Sequence, residues 1–237
     1  SYYGQVHQTL DSNCQAPSCS LTISSLPSPD ATSTDIQAAI ADKASSGSFD
    51  HVIMAGEMFG EPVASVAIRF PTMRFTVIDY AFMPPVQNVE GVIFRDDQVG
   101  YLAGIVACDV AQDSAGGLAK PHVAVVTGTV DEDSMNTVTK KRVNGFKMGC
   151  SYVCSDCVVD LMFGTKAAPI SMKISLKYPA VVFGSGPAVG HEVIKSAAGF
   201  GVYVIGVDGD EYVSTFQGGS LAGADKILTS AVKRLDV

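Results

Sequence analysis

Short apolar runs, several of them ending at Gly or Asp, alternate along this chain with longer stretches in which apolar residues recur every three or four positions. Continuous runs of Val, Ile, Phe and Ala suit strands that are buried on both faces of a parallel sheet. They predict strands at Ser20–Ser24, His51–Ala55, Arg74–Asp79, Val89–Phe94, His122–Thr127, Cys157–Met162, Ala180–Phe183 and Gly201–Val207. The helical spacing predicts Thr34–Ser46, where Ile36, Ala39, Ile40 and Ala44 share a face. It predicts Pro62–Phe70 as well, where a proline in the first turn sacrifices no hydrogen bond. Gln98–Gln112, Ser134–Gly149, Gly190–Gly199 and Ala224–Asp236 complete the helices, with a further helix starting at Ser1. Strand–helix alternation of this kind specifies an α/β chain whose helices cover parallel sheets.

The segment Asp113–Pro121, with two glycines and a proline, interrupts the alternation and divides the chain into lobes at 1–116 and 117–237. Each lobe repeats the same theme without a sequence repeat. A doubly wound lobe normally starts with a strand, so a first strand is expected before the opening helix. The apolar pattern is still running at Leu235–Val237, so further elements are expected after it, with the chain returning toward the hinge.

Composition narrows the function classes. Hydrophobic residues make up 47% and charged ones 17%, with a mean hydropathy of +0.25, which excludes a disordered chain. A net charge of −8 with 16 Lys and Arg in no basic run argues against nucleic acid as a partner. No apolar run approaches the roughly 20 residues needed to span a bilayer, and no secretory leader is present, so the chain reads as mature or trimmed. Of six cysteines, Cys14 and Cys19 share one polar loop, Cys150, Cys154 and Cys157 share another, and Cys108 reads as a buried free thiol on a helix. An even total with loop placement favours disulfides in an oxidising space. A zinc site needs four ligands, and here three cysteines cluster with no His nearby. Cys154-x-x-Cys157 lacks the helix-start setting that makes such a pair redox-active.

Turns where strands hand over to helices are the candidate binding positions, because ligands of open α/β sheets lie at the carboxyl ends of the strands. They are Gly56–Gly60 with Phe59, Gly128-Thr129, Phe163-Gly164-Thr165, Gly184–Pro187 with Gly186, and Asp208–Asp210. Ordinary turn formation explains any one of them; five together point to a ligand. Asp79 and Asp208 each close an apolar run, and either hydrogen bonding to a ligand or helix capping accounts for them. Asp96-Asp97 reads as capping and dipole compensation. Phe59 and Phe163 could stack on a flat ring. Gly184-Ser-Gly-Pro-Ala-Val-Gly190 lacks the Lys-Ser/Thr ending of a phosphate loop, and Ser185 lies in no nucleophile elbow. The four histidines stand apart from one another, so no catalytic residue, metal ligand or cofactor is expected.

Several blocks, in order, carry a family likeness. They are Phe70-Pro-Thr-Met-Arg-Phe-Thr-Val-Ile-Asp79, Asn88-Val89, Phe94-Arg-Asp-Asp-Gln-Val-Gly-Tyr-Leu-Ala-Gly104, Arg142-Val-Asn-Gly-Phe-Lys-Met-Gly149, Val204-Ile-Gly-Val-Asp-Gly-Asp210 and Ile227-Leu-Thr-Ser-Ala-Val-Lys-Arg234. Across nearly the whole chain the pattern resembles the Bmp family of basic membrane lipoproteins, purine nucleoside-binding components of ABC importers. The resemblance implies a periplasmic-binding-protein-like fold, with two Rossmann-like lobes, parallel sheets, and a hinge that closes a cleft over the ligand. By position, Tyr2 would replace a stacking phenylalanine, Phe163 would approach the other face of the base, and Asp208 would bind the base edge. Gly184 and Gly186 would line the cleft, and Asp79 and Lys233 would address the sugar. Tyr3 stands where the family carries Asn, the stretch Gly164–Val182 is shorter than usual, and six cysteines are many for a bacterial member.

Three functions follow in order of preference. The first is non-catalytic binding of a small polar ligand, a purine nucleoside, for uptake through a membrane permease. The second is a ligand-sensing ectodomain coupled to a receptor module. The third, an enzyme, lacks any nucleophile–base or metal arrangement. Either leading reading places the chain outside the cytoplasm, extracellular or periplasmic, anchored to a membrane by a part beyond these residues.

Overall fold

The computed structural model describes residues 2–14, 18–25, 28, 31–116 and 120–233. Its helices are α1 (Tyr2–Asn13), α2 (Ser33–Ser45), α3 (Gly60–Ala67), α4 (Asp96–Ala115), α5 (Thr137–Val153), α6 (Ala167–Lys177), α7 (Pro187–Gly199) and the single turn α8 (Glu211–Ser214). Its strands are β1 (His51–Ala55), β2 (Arg74–Ile78), β3 (Val89–Val92), β4 (His122–Val126), β5 (Val158–Met162), β6 (Val181–Gly184), β7 (Tyr203–Val207) and β8 (Ile227–Ala231). Contacts group these elements into two compact units, 3–94 and 95–235. The sequence reading ends its first lobe at 116; by contacts, α4 groups with the elements that follow it.

In the first unit β1, β2 and β3 form a parallel sheet in that order. Ile36 and Ile40 of α2 and Val63 and Val66 of α3 bury against Met54, Phe75 and Val77. Helix α2 begins with a capping box: Thr32 accepts from the Asp35 amide, and Asp35 accepts from the Thr32 amide. The Asn88 amide donates to the carbonyls of Ala67, Phe70 and Met73, fixing the loop between α3 and β2. Cys14 and Cys19 are joined in a disulfide.

The second unit is a five-stranded parallel sheet in the order β5-β4-β6-β7-β8. Successive strand residues point to opposite faces. Val123, Val125, Val181, Phe183 and Ile205 meet Ala103, Ala107, Val143 and Phe146 of α4 and α5. Their neighbours Ala124, Val126, Val182 and Val204 meet Ile170, Ile174, Val193 and Ile194 of α6 and α7. Helices on both faces make this unit doubly wound, as the α/β reading expects.

Helices α4 and α5 touch backbone to backbone. A Cβ on Gly100 would fall on the carbonyl oxygen of Arg142, and one on Gly104 on that of Phe146. Reciprocally, Gly145 faces the Asp97 carbonyl and Gly149 the Tyr101 carbonyl. Both helices thus carry glycine at a four-residue spacing on the face they share.

Two sequence expectations fail. Ser20–Ser24 forms no strand and is exposed throughout. Its alternation of Leu21 and Ile23 with polar residues mimics a strand, but no neighbouring strand pairs with it. Ala224–Asp236 is not a helix: a short turn at Ala224–Lys226 leads into β8 (Ile227–Ala231), which pairs in parallel with β7 across a bulge at Val204/Ile205. Arg234, Leu235 and Asp236 lie outside the described residues. β-branching at Ile227 and Thr229 favours a strand once a sheet edge is open to the segment.

Candidate functional site

Strand order in the second unit reverses between β4 and β6, because the chain moves outward to β5 and then returns to the other side of β4. At such a reversal the connections leave on opposite faces and open a crevice at the carboxyl ends of the two strands. A cavity of about 230 Å³ lies there. It is lined by Thr127, Gly128 and Thr129 after β4, by Gly186 after β6, and by Ser134, Asn136 and Thr139 at the start of α5. These groups are hydroxyls, an amide and open backbone; none of them is charged.

Local chemistry builds this wall. Asn136 caps α5, its side-chain oxygen accepting from the Thr139 amide at 2.8 Å. Thr127 is buried, and its hydroxyl meets that of Thr129 at 2.9 Å. Gly128 has a φ of 71°, which turns the chain away from β4. Gly186 lies against the Thr127 carbonyl so closely that a Cβ would overlap it. Ser185, wholly buried, has a hydroxyl with no partner among the described residues, an arrangement that costs about 1–3 kcal/mol until a polar group meets it.

Beneath the crevice lies a charge cluster that the sequence reading missed. Arg142 on α5 is 2% exposed and reaches three elements. It donates from Nη2 and Nη1 to the two carboxylate oxygens of Asp208 at 2.6 and 2.9 Å. Its Nε donates to Asp96 at 2.9 Å, and Nη1 lies 3.4 Å from the Ser185 carbonyl. Lys233 Nζ stands 3.7 Å from Asp96, both side chains being 3% exposed. Burial pulls the Arg142 pKa down, but the hydrogen bonds and charges of Asp208 and Asp96 outweigh it and hold the guanidinium above its ordinary range. Two cations and two carboxylates leave the cluster neutral. The only visible signal in the sequence is an arginine on the apolar stripe of Val143, Phe146 and Gly149; its partners are 46 and 66 positions away.

The other predicted site residues divide clearly. Gly184 ends β6, where a Cβ would press on Ile194 Cδ1 at 2.7 Å, so packing alone accounts for it. Phe163 follows β5 and is partly buried against the α4–α5 face of the core. Asp208 adopts a φ of 64° and caps no helix; the cap of α8 is Asp210, accepting from Val213 at 3.3 Å. Asp96, read as a capping residue, is instead a buried partner of Arg142, whereas Asp97 pairs with Arg95 at the surface. Thr127, Gly186, Ser185, Asp208, Arg142, Asp96 and Lys233 all belong to the second unit.

In the first unit Phe59 ends a short 3-10 turn and is partly buried against the core of that unit. Asp79 follows β2 with a φ of 73°, its amide donating to the Val92 carbonyl at 2.7 Å, and starts no helix. The side chains of Tyr2 and Tyr3, at the start of α1, lie outside the described residues.

No helix among the described residues is long and apolar enough to cross a membrane. The chain is similar to basic membrane protein A1 of Borrelia garinii subsp. bavariensis, 26% identical over 193 residues that cover 76% of this chain. It spans half of that relative's length. Among solved structures it is similar to an ABC transporter solute-binding protein of Aeropyrum pernix K1, with a TM-score of 0.65, 20% identity, and coverage of 86% of this chain and 56% of the other. It is also similar to GanP, a glucose-galactose binding protein of Geobacillus stearothermophilus, with a TM-score of 0.64, 20% identity, and coverage of 92% and 78%. At these identities the structural likeness establishes the two-lobe periplasmic-binding fold. The model of the Bmp family, ABC transporter substrate-binding proteins of the PnrA-like type, matches residues 8–237, and the chain belongs to that family.

Proposed function

We propose that this chain binds a purine nucleoside outside the cytoplasm, at the crevice between β4 and β6, and delivers it unchanged to an ABC-type membrane permease. The observation that carries the reading is the pairing of an uncharged, hydroxyl- and amide-lined cavity with a charge cluster that neutralises itself. A ligand bearing a formal charge would find no uncompensated opposite charge in this cluster. A nucleoside brings hydroxyls for Thr127, Thr129, Ser134 and Asn136, and a ring N–H or amino group to donate to the carboxylate edge of Asp208. Asp208 uses one lone pair on each oxygen for Arg142 and is still 19% exposed, so it can accept again. Phe163, Tyr2 and Tyr3 are the aromatic groups proposed to meet the base, with Phe59, Asp79 and Lys233 as further contacts. The Cys14–Cys19 disulfide supports an oxidising, extracellular or periplasmic setting; anchoring to a membrane is part of the same proposal.

Thermal unfolding with inosine, guanosine, adenosine, uridine, glucose and D-allose tests this reading. A ligand at 100 times its Kd stabilises by about 2.7 kcal/mol. Stabilisation by the purine nucleosides, with the substrate recovered chemically intact, is the expected result. Stabilisation by the sugars alone would move the chain to the ligand class named for the Geobacillus protein, and a flat response across the panel would remove the nucleoside.

A further inference from the structure

Four cysteines that the sequence divides between a helix and a loop converge in the second unit. Cys108 on α4, Cys150 near the end of α5 and Cys157 just before β5 bring their sulfurs within 4.8 Å of one another. Cys108 and Cys150 are fully buried and Cys157 is half-buried. Cys154, the last residue of the turn that closes α5, is buried in the same apolar cluster. Among the described residues, two of the four thiols have an oxygen acceptor within 3.4 Å. Cys150 donates to the Gly104 carbonyl at 3.4 Å, and Cys154 to the Asp156 carboxylate at 2.8 Å. Cys157 reaches an oxygen acceptor only at 4.0 Å, the Val158 carbonyl, and otherwise meets the sulfurs of Cys108 and Cys150; the side chains that act on Cys108 are likewise the other sulfurs.

We propose that Cys108 and Cys157 are joined as a disulfide in the working protein, leaving Cys150 and Cys154 as the thiols that keep their oxygen acceptors. The proposal rests on the extracytoplasmic placement above, because the bond needs an oxidant, here a small-molecule disulfide such as glutathione disulfide. Cys157, the most exposed of the four, attacks first. Its thiolate forms a bond to one glutathione sulfur, the glutathione S–S bond breaks, and one glutathione thiolate leaves. The Cys108 thiolate then attacks the Cys157 sulfur of the mixed disulfide and expels the second glutathione. Two electrons pass from the protein to the oxidant, and the two cysteine protons end on two glutathione molecules.

The surroundings favour this product over a thiophilic metal. Three thiolates around a divalent cation would carry a net negative charge into a pocket lined by Ala and Val. Burial already opposes that charge, pushing the Cys157 thiol up to about 11 and the Cys150 thiol up to about 12, with Cys108 raised as well. A disulfide is neutral, and its formation needs only one thiolate at a time. The bond would tie α4 to the lead-in of β5, at the end of the α4–α5 pair away from Asp96 and Arg142.

The test is disulfide mapping of the complete chain after equilibration with glutathione and glutathione disulfide. Thiols are alkylated in denaturant without reductant, and the digest is analysed by mass spectrometry. The expected result is a linked peptide pair containing Cys108 and Cys157, with Cys150 and Cys154 alkylated. Cys150→Ala should keep the linked pair and Cys157→Ser should lose it. Alkylation of all four thiols while Cys14–Cys19 is intact would overturn the pairing and leave the compartment reading standing. A bond from Cys150 to either partner, or stoichiometric zinc with four intact thiols in elemental analysis, would also overturn it. Nucleoside binding is scored separately, so its failure is distinguishable from failure of the disulfide.

Discussion

Replacing Arg142 by Met keeps most of the buried stem and removes the charge and every donor. Asp208 then loses both of its guanidinium bonds, at 2.6 and 2.9 Å, and Asp96 loses one at 2.9 Å. Asp96, 3% exposed, would retain only the more distant ammonium of Lys233. Breaking a buried ion pair from one side costs about 3–5 kcal/mol, because the remaining carboxylates are left without compensation. That is a large share of a stability of about 5–15 kcal/mol. For a chain of this size it lowers Tm by about 6–20 °C, at roughly 2–4 °C per kcal/mol. The assay is thermal unfolding followed by calorimetry, which separates transitions if the two units melt apart. Combining Arg142→Met with Asp208→Asn removes the carboxylate that the arginine alone compensated and leaves Asp96 paired with Lys233, so it should recover at least half of the loss. A single variant within about 1 kcal/mol of the parent would refute the reasoning, since the cluster would then be solvated and energetically slight.

Three further outcomes are expected. Gly104→Ala drives a methyl into the Phe146 carbonyl and should destabilise by about 1–3 kcal/mol, whereas Gly199→Ala at the end of α7, where nothing lies within 4 Å of the new methyl, should stabilise by about 0.4–1 kcal/mol; denaturant titration reads both signs. Burial raises the Asp160 carboxyl, but hydrogen bonds from Lys177 and His122 outweigh it and hold its folded pKa below the ordinary value. Its contribution is therefore complete above about pH 4 and is lost as pH falls through the lower folded value. Asp160→Asn should weaken the protein at neutral pH and flatten the loss of Tm below pH 4, and an unchanged acid profile would count against the pairing. Asn136→Ala removes the cap of α5 and one wall of the crevice, so it should cost about 1 kcal/mol in stability and also weaken nucleoside affinity in calorimetric titration.

The sequence made the interior strands plain because their cause is local. Arg74–Ile78 and His122–Val126 are short apolar runs buried in sheets, and nothing distant is needed to recognise them. Elements at the sheet margin were harder. Ile227–Ala231 carries an apolar pattern that a helix or an edge strand could use, and the open side of β7 decides between them. The glycines after β4 and β6 were visible as turn residues, but their meeting at one crevice depends on the strand order, which no local pattern encodes. Arg142 shows the same limit at the level of a side chain. Its helix was legible, but its charge makes sense only with Asp96 and Asp208, brought in by folding from far along the chain. Cys108 was read correctly as buried, yet its nearness to Cys150 and Cys157 depends on how α4 lies against α5.

The glycine contacts between α4 and α5 have a consequence for affinity. Carbonyl oxygens occupy the places that side chains would fill, so neither helix can slip by a residue or roll without colliding with the other. The guanidinium therefore meets its carboxylates along a joint with no play. Most of the water is stripped from those charges when the chain folds, Asp208 alone keeping 19% of its side chain exposed, so on the proposed function an arriving guest meets a floor that is already set. On the proposed function, widening the joint would add faster guest escape to the loss of stability.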